Sequence, residues 1–353
     1  MLKRIAFAIP GDITAPTGGY IYDRHIIEGL RALGWQVELL GLGEGFPFPS
    51  VETLREAQAK LAALPKGIPV VMDGLALGVM PDIVAAIKTE HPVIALVHHP
   101  LAFESGLTTD QAASLKQTEQ QALQHVAHVI VTSPATARDL IQHFSVPPEG
   151  VDAVVPGTDR ATFAKGSQSE IVSLLCVGSV IPRKGFDVLL PALHQLSHLP
   201  WRLTIAGDRS RNAQASRQLD DDMNRFGFKD RIAVLGAVTA EALAQLYACA
   251  DVFVLASRFE GFGMAYAEAL AHGLPVVGTT GGAIPDTVPS EAGLLVAPGS
   301  VDALAAALKL IIERKDLRAQ LADGARRVGR MQPTWADSSQ RFSQVLLKSM
   351  GRR

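Results

Sequence analysis

The chain has 353 residues, which is too long for one ordinary hydrophobic core and fits two domains of about 150 to 180 residues each. Hydrophobic residues make up 48% of it and charged residues 19%, a balance typical of a globular α/β protein that excludes an intrinsically disordered chain. The formal net charge of −2 gives no basic field for nucleic acid, and no apolar run is long enough to cross a membrane.

Apolar runs of strand length alternate with helical patterns through the first half of the chain. Strands that alternate with helices form parallel sheets covered by helices, so we predict a doubly wound α/β domain over residues 1–160. The polar segment 158–170 breaks the pattern and is the predicted linker. The six predicted strands are 4–10, 36–42, 69–73, 93–98, 128–133 and 151–156.

A second series of runs predicts a similar domain over residues 170–332. A final stretch, 335–353, has helical apolar spacing and is a predicted C-terminal helix. Cys176 and Cys249 lie in apolar contexts without metal-ligand spacing, so both are predicted to be buried thiols of a cytoplasmic protein. The predicted strands of this half are 171–179, 201–207, 231–236, 251–256, 275–279 and 293–297.

Two glutamates stand eight residues apart across a strand end and a helix start. Glu260 follows the apolar run 251–256, Gly261 and Gly263 form a turn, and Glu268 lies in a stretch of helix formers. The first N–H groups of a helix have no intrahelical partner and face the positive end of its dipole, so such a turn is suited to a phosphate. The simpler alternative is that Glu260 caps the helix and Glu268 is an exposed helical residue.

Two adjacent cations, Arg183 and Lys184, follow the predicted strand 171–179 and precede Gly185. They therefore lie at the carboxyl edge, where open parallel sheets bind ligands. Arginine supplies a planar fork and lysine a mobile point charge, and together they can hold a diphosphate. The alternative is a solvated turn ahead of a helix over residues 186–196.

Two further motifs lie in the first half. Gly18 and Gly19 are predicted in the loop after the first strand, where neither a GxGxxG pattern nor a suitably placed acid indicates a dinucleotide fingerprint. His98 and His99 end the fourth strand at its carboxyl edge, where histidine can bind sugar hydroxyls or position an acceptor. Either histidine could instead be a structural residue of the wall.

Together these motifs, with the Gly-Gly element at Gly281 and Gly282, resemble the retaining glycosyltransferases of family 4, the group 1 or glycogen synthase-like enzymes. The resemblance implies a GT-B fold of two Rossmann-like domains facing a deep cleft. The domain over 1–160 then binds the acceptor, the domain over 170–332 binds the donor, and the helix at 335–353 packs back on the first. Asp286 stands where the family more often has glutamate.

The resemblance also assigns roles. In the family the second glutamate, here Glu268, binds both ribose hydroxyls, which suits a carboxylate because it accepts two hydrogen bonds. Glu260 and His98 correspond to residues beside the transferred sugar. Arg183 and Lys184 correspond to the cations that contact the donor phosphates. The predicted catalytic residues are Glu260, His98, Arg183 and Lys184. The other predicted donor contacts are Gly18, Gly19, Gly261, Phe262, Gly263 and Met264, and the predicted acceptor contacts are His99 and Glu104.

The activity implied is transfer of a hexose from a UDP-, GDP- or ADP-sugar to a hydroxyl of a sugar, a small molecule or a lipid. Neither a metal nor another cofactor is expected. The expected location is cytoplasmic, with peripheral membrane visits if the acceptor is a lipid, without stable membrane insertion and without a nucleic-acid partner. A nucleotide-sugar epimerase or hydrolase on the same fold and a catalytically silent nucleotide-sugar-binding protein remain alternatives.

Overall fold

The computed structural model describes residues 3–351. The chain divides into two compact units, with boundaries after Gly157 and after Gln332, so the segment from Pro333 onward belongs to the first unit. Each unit contains one six-stranded parallel sheet flanked by helices, which is the predicted fold class. All twelve predicted strands are present, each one to three residues shorter than its apolar run. Residues 154–171 contain no helix or strand.

The first sheet has the order β2-β1-β3-β4-β5-β6. Its strands are β1 (Arg4–Ile9), β2 (Gln36–Gly41), β3 (Val70–Asp73), β4 (Val93–Val97), β5 (His128–Val131) and β6 (Val151–Ala153). The helices among them are α1 (Gly18–Ala32), α2 (Val51–Ala62), α3 (Gly74–Leu77), α4 (Pro81–Ile87), α5 (Thr109–Leu123) and α6 (Pro134–His143), with short 3-10 turns at Leu101–Phe103 and Pro148–Gly150.

Side chains alternate along each strand, and in the central strands of the first sheet both of the resulting faces are buried, whereas the edge strand β2 is mostly exposed. In β1, Ile5 and Phe7 belong to one apolar cluster, whereas Ala6 and Ala8 belong to another. Strands buried on both faces have nearly continuous apolar sequences, and this explains why the apolar runs predicted these strands.

The second sheet has the order β12-β11-β10-β7-β8-β9. Its strands are β7 (Val172–Val177), β8 (Trp201–Ala206), β9 (Ile232–Val234), β10 (Val252–Val254), β11 (Val276–Thr279) and β12 (Gly293–Val296). Its helices are α7 (Phe186–Gln195), α8 (Ala213–Arg225), α9 (Ala240–Cys249), α10 (Met264–Ala271), α11 (Ile284–Thr287), α12 (Val301–Glu313) and α13 (Lys315–Met331). A 3-10 turn at Pro182–Lys184 follows β7.

The two cysteines differ in exposure. Cys176 on β7 is buried, as predicted, but Cys249 is exposed and the prediction for it was wrong. Cys249 is the last residue of α9, and Tyr247 rather than Cys249 occupies the buried side of that helix end. An apolar sequence context did not reveal which side of the helix faces the core.

The last helix, α14 (Trp335–Met350), packs within the first unit. Thr334 and Asp337 form a capping box at its start. Gly29 on α1 permits a close approach, because a Cβ there would lie 2.0 Å from Ser339 Oγ. Residues 352–353 of the predicted C-terminal helix lie outside the described residues. Within residues 3–351, no helix combines the length and apolar character needed to cross a bilayer.

Each sheet has a point at which the strand order reverses, between β1 and β3 in the first sheet and between β7 and β10 in the second. Loops that follow two such neighbouring strands leave in opposite directions and open a crevice at the carboxyl edge. The residues that follow these strands are therefore placed to form a site.

Candidate functional site

The loops after β7 and β10 meet at the reversal point of the second sheet. Gly185 ends the 3-10 turn after β7 in a left-handed conformation, with φ of +69°. A Cβ on Gly185 would lie 2.0 Å from the carbonyl oxygen of Ala256, which follows β10. Glycine is required at this contact. It brings Arg183 and Lys184 alongside the segment that carries Glu260.

The carboxylate of Glu260 is the centre of a buried charge cluster. Its Oε2 accepts a hydrogen bond from Arg183 Nη1 at 2.9 Å, and its Oε1 accepts one from Lys184 Nζ at 2.6 Å. The hydroxyl of Ser257 donates to the same Oε1. We call Arg183, Lys184, Ser257 and Glu260 the Glu260 cluster. All the side chains of the predicted cationic motif thus contact the first predicted glutamate.

The electrostatics of this cluster favour a permanent anion at Glu260, which is 6% exposed. Burial raises the pKa of the carboxyl, but the positive charges of Lys184 and Arg183 and the hydrogen bonds of Lys184 and Ser257 outweigh it and lower the pKa to about 2. A carboxylate held this way is a weak proton acceptor. Since the side chains of Arg183 and Lys184 are 16% and 13% exposed, the alternative of a solvated turn was wrong.

Two glycines hold the Glu260 segment in place. A Cβ on Gly281 would lie 2.2 Å from the carbonyl oxygen of Arg258, and a Cβ on Gly282 would lie 2.3 Å from that of Glu260. Gly282 also forms an isolated parallel bridge with Glu260. The Gly-Gly element therefore positions the cluster through backbone packing, and Asp286 lies two residues into α11 beyond it.

The predicted turn over residues 261–264 opens α10. Gly263 is the N-cap residue, with φ of +90° and no capping hydrogen bond from a side chain. Glu260 therefore does not cap this helix, and that alternative was wrong. The first N–H groups of α10 have no intrahelical partner, and among residues 3–351 no side chain accepts from the N–H groups of Phe262, Gly263 or Met264, so this turn presents backbone donors.

Glu268 lies on α10 and is half-buried, so it is not the exposed residue of the simpler alternative. Its Oε2 accepts a hydrogen bond from the hydroxyl of Tyr247 at 2.9 Å. Burial raises the pKa of Glu268, and the bond from Tyr247 partly offsets this effect. Tyr247, which is 2% exposed and stacks on the ring of His272 with centroids 4.8 Å apart, was not predicted as a site residue. Its sequence signal was a polar atom within an otherwise apolar helical stretch.

In the first unit, the predicted glycine loop is the start of a helix. Gly18 and Gly19 are the first residues of α1, because Thr17 acts as N-cap and accepts a hydrogen bond from the Tyr20 N–H at 3.3 Å. A Cβ on Gly19 would lie 3.2 Å from Cδ2 of His98. Gly19 therefore makes room for the His98 ring.

His98 lies between the carboxylates of Asp23 and Asp73, neither of which was predicted as a site residue. Its Nε2 is 3.3 Å from Asp23 Oδ1 and 3.6 Å from Asp73 Oδ2. Burial lowers the pKa of His98, but the two carboxylates outweigh it and raise the pKa. Asp73 ends β3, the same kind of position as His98 after β4, and Asp23 lies among the apolar residues of the buried face of α1. The sequence contained a signal for each residue, because Asp73 is an acid at the carboxyl end of a strand and Asp23 is an acid on the apolar face of a helix.

The two predicted acceptor residues contact each other, since His99 Nε2 lies 3.2 Å from Glu104 Oε2. The structure thus brings the predicted residues together in three groups. The Glu260 cluster with the start of α10 and Glu268 belongs to the second unit, whereas His98 with Gly19 and His99 with Glu104 belong to the first.

Comparisons with known proteins match both units. The family model described as Glycosyltransferase Family 4 matches residues 18–162, and that described as Glycosyl transferases group 1 matches residues 172–314. The chain is 28% identical over 299 residues to the MMP alpha-(1->4)-mannosyltransferase of Mycolicibacterium hassiacum, a match that covers 80% of this chain and 71% of that protein. It is 30% identical to the D-inositol 3-phosphate glycosyltransferase of Geodermatophilus obscurus, over 59% of this chain and 50% of that protein.

Solved structures share the fold. The sucrose-phosphate synthase of Thermosynechococcus elongatus superposes with a TM-score of 0.83 at 22% identity and 98% coverage of both chains. Anabaena HepE in complex with UDP and glucose superposes with a TM-score of 0.77 at 18% identity, covering 98% of this chain and 100% of that one. Since both identities are below 25%, these likenesses concern the architecture alone.

Proposed function

Since this chain belongs to family 4 of the glycosyltransferases, we propose that it moves a hexose from a nucleotide-sugar donor to an acceptor hydroxyl, with retention at the anomeric carbon and without a metal ion. The observation that carries the proposal is the Glu260 cluster beside the uncapped start of α10. Two side-chain cations, a buried carboxylate and the backbone N–H groups at the start of α10 meet there within one unit.

The cations act on the leaving group. Transfer breaks the bond between the anomeric carbon and a phosphate oxygen, and negative charge develops on the nucleoside diphosphate. Arg183 and Lys184 stabilise that charge, together with the N–H groups at the start of α10. Because Glu260 already holds both cations, they are positioned before the donor arrives. We propose that these side chains replace a divalent ion.

Glu260 stabilises charge and does not attack. A covalent retaining mechanism needs a nucleophilic carboxylate, whereas Glu260 has a pKa of about 2 and accepts hydrogen bonds from three side chains. We therefore assign it to the positive character that develops on the sugar. The acceptor oxygen forms its bond to the anomeric carbon on the face that the diphosphate leaves, and the acceptor proton passes to the departing phosphate oxygen.

Glu268 recognises the donor's ribose. Its Oε2 is held by Tyr247, which fixes the carboxylate and leaves Oε1 to accept from a ribose hydroxyl. In the first unit, we assign His98 to the donor sugar and the His99–Glu104 pair to the acceptor. HepE was solved with UDP-glucose, so UDP-sugars are the first donors to test.

The test is calorimetric titration of UDP-, GDP- and ADP-sugars in the presence of EDTA. Wild type is compared with Glu268→Gln and with a matched control, Glu313→Gln, which changes an exposed glutamate at the end of α12. We expect one base to bind wild type and control equally and to bind Glu268→Gln at least about tenfold more weakly, the loss of roughly one charge-assisted hydrogen bond. Equal affinity for all three proteins would remove Glu268 from the donor site.

The bound donor is then offered to candidate sugar acceptors, and the anomeric configuration of the product is read by NMR. An inverted linkage contradicts retention, and activity that requires added metal contradicts the metal-free proposal. Release of free sugar at the same rate without acceptor identifies a hydrolase. A protein that binds no donor is the silent alternative.

A further inference from the structure

The imidazole of His98 is held by one ring nitrogen. Nε2 lies 3.3 Å from Asp23 Oδ1, on α1, and 3.6 Å from Asp73 Oδ2, at the end of β3. Asp23 is 0% exposed and Asp73 is 2% exposed. Among residues 3–351, neither oxygen of Asp23 has a hydrogen-bond partner and Nε2 of His98 has none either, so these groups face one another at ion-pair distances without hydrogen-bond geometry. An unpaired buried carboxylate is costly, so this pair of acids is compensated by a positive charge on the ring.

The ring is also fixed in orientation. The ring of Tyr22 meets that of His98 edge-on, with centroids 5.5 Å apart and planes at 84°, and the Tyr22 hydroxyl is anchored on the Val154 carbonyl at 2.9 Å. Gly19 lies against Cδ2, and a Cβ there would be 3.2 Å from that atom, so a side chain at this position would press on the ring. The ring therefore has a defined position even without a ligand.

The other ring nitrogen is available. In an imidazolium, the two N–H bonds point away from each other, so Nδ1 points away from the carboxylates. Within the described residues, Nδ1 of His98 has no hydrogen-bond partner, and the side chain is 20% exposed. The groups that face this ring from its neighbours are Asp23 and Tyr22 on α1 and Asp73 on β3.

We propose that Asp23 and Asp73 are positioning residues that hold His98 as an imidazolium, with its Nδ1–H offered as a hydrogen-bond donor to a hydroxyl of the donor sugar. The cluster of two carboxylates and one imidazolium has a net charge of −1, which disfavours phosphate and favours a neutral hydroxyl. His98 then acts as a donor of a hydrogen bond and not as a general base. The choice of ligand rests on the proposed function, whereas the state of the ring does not.

The test of the ring state is long-range ¹H–¹⁵N NMR of the histidine side chains in the ligand-free protein between about pH 6 and 11, a range that includes the raised pKa of His98, about 10. The His98 signals are assigned by their absence from His98→Gln. We expect both nitrogens to be protonated at pH 8 in wild type. Asp23→Asn and Asp73→Asn should each lower the titration midpoint by about one pH unit or more, since a nearby opposite charge moves a pKa by about 1 to 3 units. A neutral His98 ring at pH 7 in wild type overturns the proposal.

A second measurement separates this arrangement from a metal site, because one ligand atom from each of the three residues lies within 4.8 Å of the others. Chelator-treated protein is titrated with Zn²⁺ or Mn²⁺ by calorimetry. Stoichiometric binding that disappears in Asp23→Asn overturns the imidazolium in favour of a metal centre. If Asp23→Asn does not fold, Asp73→Asn, whose second oxygen still caps α3, carries both measurements.

Kinetics test the link to the sugar. With an identified donor, Asp73→Asn should introduce a loss of kcat between about pH 7 and 9 that wild type lacks, because a pKa of about 10 is lowered by about 1 to 3 units, while donor KM changes less than about twofold. An unchanged pH profile overturns the role in transfer. Absence of any donor binding in wild type refutes the proposed function but leaves the NMR result intact, so the two failures are distinguishable.

Discussion

Replacing Glu260 by glutamine should destabilise the second unit, although the two side chains have almost the same shape. Glutamine cannot be an anion for Lys184 and Arg183, whose side chains are 13% and 16% exposed. The pKa of Glu260 is lowered from 4.5 to about 2. At about 1.4 kcal/mol per unit, this corresponds to roughly 3 kcal/mol of stabilisation, within the range of about 3–5 kcal/mol for breaking a buried ion pair.

The assay is thermal unfolding by calorimetry at pH 7. For a unit of this size, each kcal/mol changes Tm by about 2–4 °C, so one transition should fall by roughly 6–12 °C in Glu260→Gln. The matched control is Asp316→Asn. Asp316 also accepts two hydrogen bonds from one cation, Arg314, but the Asp316 side chain is 69% exposed and that of Arg314 is 59% exposed. We therefore expect no measurable change in Tm for Asp316→Asn.

The pH dependence gives an independent check. Because the folded pKa of Glu260 lies below its unfolded value, its stabilisation is present above about pH 4.5 and is lost as the pH falls from there through about 2. The Tm difference between wild type and Glu260→Gln should therefore shrink over that window. Equal stability at pH 7, or a difference that does not depend on pH down to the acid limit of folding, would refute the electrostatic account.

Two other substitutions test buried polar groups. Tyr247→Phe removes the hydrogen bond to Glu268 but keeps the ring stacked on His272. Nucleotide affinity measured by calorimetry should fall about fivefold, which corresponds to the loss of one hydrogen bond. Unchanged affinity would show that Tyr247 does not position Glu268. Glu119 on α5 accepts a hydrogen bond from the Leu101 N–H, and burial raises the pKa of the Glu119 carboxyl to about 8. The stability that depends on its protonated form is therefore fully present below about pH 4.5 and is lost as the pH rises through about 8. Glu119→Gln should therefore raise Tm relative to wild type more at pH 9 than at pH 5, and an equal effect at both would contradict the assignment.

The sequence predicted the central strands well because they are buried along all or nearly all of their length and are therefore almost entirely apolar, whereas the edge strand β2 is largely exposed. The carboxyl ends of most strands were predicted one to three residues too far, since buried apolar residues such as Leu255 and Ala256 continue past the last strand residue, Val254. Burial continues into the loops at the carboxyl edge, whereas strand pairing stops. Composition therefore cannot distinguish the last paired residue from the first residue of the site.

The pairing of Arg183 and Lys184 with Glu260 was beyond local sequence reasoning. Each motif could be placed at a strand end, but their contact depends on β7 and β10 being neighbours, and strand order is a long-range property. The same limit applies to Asp73, which ends β3, and His98, which follows the adjacent strand β4. The prediction of a loop at Gly18 and Gly19 was wrong for a local reason, because Thr17 is the N-cap of a helix that begins at Gly18.

The Glu260 cluster and the group formed by His98, Asp23 and Asp73 are opposite versions of one electrostatic arrangement. In the second unit, a buried carboxylate holds two cations, which leaves a net charge of +1 and suits an anionic diphosphate. In the first unit, the imidazolium ring of His98 lies between two buried carboxylates, which leaves a net charge of −1 and disfavours an anionic diphosphate. In both cases the central group is fixed by its partners, so a ligand meets side chains that are already oriented. Reversing the charge of a central group should therefore disturb the orientation of its partners as well as the local field, and for this reason amide substitutions are the more informative tests.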